Sequence, residues 1–136
     1  MKKGIDLAIY ILLGVGLAAN AYFMLSNGEP DKLWWWPLAV GFFAWAAVPF
    51  AAIAVINRFI AKDVSGKIIL FVTALVVTCG GVYILIEAFI THLDAQSGII
   101  FIFLPIYQCA AVALAVALLI VARILVKRKS RGNHRR

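Results

Sequence analysis

Long apolar runs alternate with short polar breaks along almost the whole chain. The runs cover residues 5–26, 33–57, 68–91 and 98–126. At about 1.5 Å of rise per residue, each is long enough to cross roughly 30 Å of hydrocarbon as a helix. Only helices and closed barrels satisfy their backbone polar groups inside a bilayer, and barrels use alternating segments of about ten residues. No such alternation is present here. The pattern predicts an all-α fold: an integral membrane four-helix bundle with antiparallel up-down threading over residues 1–126, and a basic tail over 127–136. The first run follows Lys2 and Lys3 in the manner of a signal peptide. Its apolar stretch continues past Ala18 to Leu25, well beyond a short signal core, so a retained helix is expected.

Composition strengthens this picture. Of the 136 residues, 65% are apolar and 14% charged, against about 25% charged in an ordinary soluble domain. Charge then supplies an orientation. The N-terminus, the 58–67 break and the C-terminal tail together hold twelve Lys or Arg and two carboxylates; the other two breaks hold Lys32 against Glu29, Asp31 and Asp94. By the positive-inside rule both termini are expected in the cytoplasm, in a bacterial-type inner (plasma) membrane. The net charge of +7 is thereby accounted for by topology and by anionic lipid at the basic tail, with no need for a nucleic-acid ligand.

The few polar residues inside the runs are the candidate chemistry. Asn20 lies about 10 Å from its nearest break, Glu87 about 7 Å and Gln108 about 14 Å, all toward the outer side. Tyr83 precedes Glu87 by one helical turn, His92 follows it, and Tyr107 neighbours Gln108. An acid in such a segment is a functional candidate by default, and polar groups at similar depth can form a buried network or line a cavity. Asn20, Tyr83, Glu87, His92, Tyr107 and Gln108 are therefore the expected ligand or partner contacts. By contrast, the inner half shows nothing comparable, its charges being read as loop and tail residues.

Trp34, Trp35 and Trp36 are expected as interfacial anchors, because three consecutive side chains on a helix point in three directions. Pro49 and Pro105 fall inside runs, each removing one backbone donor, and are expected to bend their helices; the carbonyl released one turn before Pro105 needs a new partner. Gly14 and Ala18 form a small-x-x-x-small pair suited to close helix approach. Cys79 and Cys109 lack redox spacing, no second histidine joins His92, and His134 lies in the tail. Accordingly, neither a metal nor a cofactor is expected.

Three functional classes remain. The first is a non-enzymatic interaction, assembly or protective subunit that engages a membrane partner, or further copies of itself, through an outer-half polar patch. The second is an oligomeric small-molecule or ion transporter with Glu87 as its coupling carboxylate. In size the chain is similar to the small multidrug transporters, but the membrane glutamate of their first helix has no counterpart between residues 5 and 26. An enzyme using Glu87 and His92 as an acid–base pair is the third, and it lacks an identifiable nucleophile.

Overall fold

The computed structural model describes residues 2–91 and 97–133. Four long helices account for most of them: α1 (Lys2–Asn27), α2 (Trp35–Phe59), α3 (Val64–Ile86) and α4 (Ile100–Asn133). A π-helical turn, Glu87–Thr91, extends α3, and a 3-10 turn, Ser97–Ile99, leads into α4. Each long helix contains a window apolar enough to span a membrane. The chain is thus a small multi-pass membrane protein by the length and composition of its helices.

Local chemistry sets the helix starts. Asp63 holds an extended backbone, and its carboxylate accepts the Gly66 N–H at 3.1 Å, a side-chain cap on the first turn of α3. That cap begins α3 four residues earlier than the apolar run suggests, and places Lys67 on the helix instead of in a loop. Pro37 lies in the first turn of α2, where its missing N–H has no intrahelical acceptor to serve. At the other extreme, α4 continues past the apolar run to Asn133, so residues 127–133 of the basic tail are helical.

All four helices contribute to the packing, with two hydrophobic clusters stacked along the bundle. The larger joins Ile9 and Leu13 of α1, Phe50 and Ile53 of α2, Leu70 and Ala74 of α3, and Val112 and Leu119 of α4. The smaller joins Phe23, Ala39, Leu85, Phe89, Phe101 and Leu104. α1 packs chiefly on α3 and α2 on α4, whereas α2 and α3 touch little although they are consecutive. Around the bundle the order is α1, α3, α4, α2, and the short 60–63 connection crosses a diagonal. Close approach explains the pairing. Thr78 of α3 donates to the Leu12 carbonyl of α1 at 3.1 Å, so a short side chain bridges two backbones. Gly16 of α1 leaves the space that the Phe50 ring fills, and a side-chain carbon there would strike that ring.

Gly16, not the Gly14–Ala18 pair, makes the close approach within the bundle; Gly14 and Ala18 both lie on its outside. Pro49 and Pro105 are fully buried, and α-helix continues through both. The indole of Trp45, one turn before Pro49, donates to the Ile102 carbonyl at 3.1 Å, in the turn preceding Pro105. The carbonyl that Pro105 leaves without an intrahelical donor is that of Phe101, four residues before it, so the indole ties α2 to α4 beside that gap without filling it.

Candidate functional site

The polar residues expected to share the outer half do not converge on one site. Gln108 of α4 is buried and donates from Nε2 to the Val77 carbonyl of α3 at 3.1 Å. Gly81 makes room for it: a carbon added there would lie 2.5 Å from that nitrogen. Asn20 is also buried, but its amide turns back to the Gly16 carbonyl of its own helix at 2.9 Å instead of reaching another helix. Both residues therefore serve the interior. Tyr107 points the other way and is 68% exposed. His92 lies outside the described residues.

Glu87 and Tyr83 form the remaining group. The Tyr83 hydroxyl donates to Glu87 Oε1 at 3.2 Å, and Tyr83 is 63% exposed on the outer face of α3. Glu87 is half-buried and opens the π turn, its N–H shared between the Ile84 and Tyr83 carbonyls. Such turns hold one extra residue and often mark functional positions in helices. Here the turn also aims Phe89 inward, where it stacks on Phe23 with ring centroids 5.9 Å apart and meets Phe101 at 5.3 Å. One short segment thus presents a carboxylate near the surface and an aromatic ring to the core.

The three tryptophans divide. Trp34 and Trp36 are exposed, and the Trp36 indole donates to the Pro30 carbonyl at 3.1 Å. Trp35 turns inward onto Gly28, where no side chain would fit beneath its ring. It separates two hollows: a cleft of about 370 Å³ lined by Asn27, Leu38, Phe42, Phe89 and Phe101, and an apolar groove of about 210 Å³ beside Leu25, Trp36 and Phe43.

The opposite end of the bundle corrects the expectation of an inner half without ionisable partners. Lys67 is buried and pairs with Asp6 of α1, and the Asn57 side chain of α2 adds a favourable polar contact to the same carboxylate. Asn57 is itself only 4% exposed, with no hydrogen-bond partner for its Oδ1. Around this core, Lys2 reaches the Lys62 carbonyl at 3.3 Å, and Arg123 bonds the Ile60 carbonyl and stands 3.8 Å from Asp63. These residues read in sequence as a topology signal alone. The Asp63 cap, an Asp three residues before Gly66, was the signal that could have carried the helix back past Lys67.

Among the described residues no group of three or more His, Cys, Asp or Glu gathers to hold a metal ion, and both cysteines are free thiols, Cys79 exposed and Cys109 half-buried. No known protein family matches the chain, and no curated protein or solved structure is detectably similar to it. What the fold and its surface define is therefore a class, a small multi-pass helical membrane protein with a tyrosine–carboxylate pair on its outer face.

Proposed function

We propose that the protein is a non-enzymatic membrane subunit that engages another membrane-embedded helix through the α3 face bearing Tyr83 and Glu87, with both termini on the cytoplasmic side of a bacterial-type inner membrane. The observation that carries this reading is the Tyr83–Glu87 pair, a hydrogen-bonded phenol and carboxylate on the outside of a helix long and apolar enough to span a membrane. The other polar groups favour the same reading over a coupled transporter, since Asn20 and Gln108 are buried and already donating within the protein. Placement of Lys2, Arg123 and Lys67 at one end of the bundle supports the proposed sidedness.

The test is assembly. Tyr83→Phe and Glu87→Gln, alone and together, should leave the four-helix unit folded and reduce the size of the complex isolated in mild detergent. An unchanged complex in the double variant removes the proposal. Glu87→Gln also examines the transporter, because a carboxamide cannot carry a coupling proton; substrate-dependent proton flux that persists in this variant excludes Glu87 as the coupling group.

A further inference from the structure

Between α3 and α4, at the end of the bundle that carries the N-terminus, lies a hollow of about 400 Å³ lined by Asp63, Ser65, Ile69, Leu119, Ala122 and Arg123. It differs in chemistry from the two hollows beside Trp35, whose lining residues are all uncharged. Its polar and apolar residues are sorted by depth. Ile69 lies one turn further into the bundle than Ser65 on α3, and Leu119 one turn further in than Arg123 on α4, about 6 Å along each axis. The mouth is therefore charged and the floor aliphatic, the same order in which a phospholipid presents headgroup and acyl chain at the edge of a bilayer.

We propose that this hollow binds one phospholipid whose headgroup ends in a primary ammonium, the phosphatidylethanolamine type. The argument is charge complementarity at the mouth, and it is independent of the outer face of α3. Arg123 and Asp63 stand there together without satisfying each other: the nearest approach, Nη2 to Oδ1, is 3.8 Å, too long for a hydrogen bond, and their side chains are 44% and 56% exposed. Among the described residues, Arg123 bonds through Nη2 to the Ile60 carbonyl, which leaves the hydrogens on Nε and Nη1 for a phosphate. Asp63 accepts the Gly66 N–H on Oδ2, and Oδ1 is left for a cationic donor. A headgroup with a phosphate and an ammonium two carbons apart meets both needs at once. The trimethylated ammonium of phosphatidylcholine has no N–H to give Asp63, and the headgroup of phosphatidylglycerol brings a second negative charge beside that carboxylate with no cation to offset it. Ile69, Leu119 and Ala122 then receive the upper part of an acyl chain, so the lipid is held between two helices instead of lying against one.

The experiment uses the full chain in mild detergent, titrated with phosphatidylethanolamine, phosphatidylcholine or phosphatidylglycerol of identical acyl chains. Native mass spectrometry should show one retained lipid on each 14.9 kDa chain, with phosphatidylethanolamine held about tenfold more tightly than either of the others. Asp63→Asn keeps an acceptor for the Gly66 N–H and removes the charge, so it should leave the helical circular dichroism unchanged and bring phosphatidylethanolamine down to the level of phosphatidylcholine. Arg123→Gln should weaken all three lipids, because the phosphate is common to them. Phosphatidylcholine bound as tightly as phosphatidylethanolamine by the native chain overturns the proposal, as does phosphatidylglycerol bound most tightly of the three. Both comparisons need no variant to fold. A preference that survives Asp63→Asn also overturns it. Soluble phosphoethanolamine should fail to displace the lipid at equal concentration; displacement would assign the hollow to a free phosphate ester and overturn the lipid as its occupant.

Discussion

The two ends of the bundle are held together by different physics. At the end that carries the N-terminus, helices are tied by charge: Lys67 to Asp6 with Asn57 alongside, and Arg123 to the α2–α3 connection. At the other, they are tied by rings: Phe23, Phe89 and Phe101 in contact, and Trp35 seated on Gly28. Charged links are directional and few, so a missing partner leaves a buried group exposed to a poor environment. Ring contacts are diffuse and many, and they leave hollows where shapes do not match, as the cleft beside Trp35 shows. The comparison predicts that the polar end fixes helix register while the aromatic end tolerates adjustment.

Phe89→Ala should produce the largest effect, because it removes a ring that bridges two others and enlarges an existing hollow. A loss of about 3 kcal/mol is expected, insensitive to salt, measured as a shift in SDS-driven unfolding from mild detergent. Lys67→Met comes next, at about 2 kcal/mol: it strands the Asp6 carboxylate, whose side chain is only 32% exposed. Adding Asp6→Leu to Lys67→Met should recover most of that loss, and failure to recover would show that the pair does more than balance its own charges. The smallest effect belongs to Lys32→Ala. Its ion pair with Glu29, at 2.8 Å, lies at the aromatic end with both side chains about half exposed. Its removal should cost under about 0.5 kcal/mol in the same assay. Equal losses for Lys67→Met and Lys32→Ala would erase the distinction between the ends.

The four helices were legible because hydrophobicity and length alone specify a span. Which helix stands beside which was not. Each helix is apolar nearly all round, so its sequence does not announce a facing side, and neighbours are chosen by small residues such as Gly16 and Gly81 that matter only when a particular Phe50 or Gln108 arrives opposite. Gly14, paired with Ala18, is the small residue that spacing singles out, yet it faces outward while Gly16 makes the contact. Lys67 was misread for a different reason: a lysine beside a hydrophobic run reads equally as a loop charge and as a first-turn residue, and only the Asp63 cap separates them. The candidate site was half legible. Glu87 stood out as an isolated acid and Tyr83 as its neighbour one turn away, but nothing in the order of residues told that Asn20 and Gln108 would turn inward while Tyr107 turned out.

The diagonal course of the 60–63 connection bears on biogenesis. Since α1 rests mainly on α3 and α2 on α4, the contacts between the two successive hairpins exceed those within either one. Each hairpin can enter the bilayer as a unit yet stays unfinished until the other arrives, so the decisive step in maturation is a lateral meeting of two halves in the plane of the lipid. Nicking the chain between Ile60 and Asp63 and expressing the fragments together should still give an intact particle.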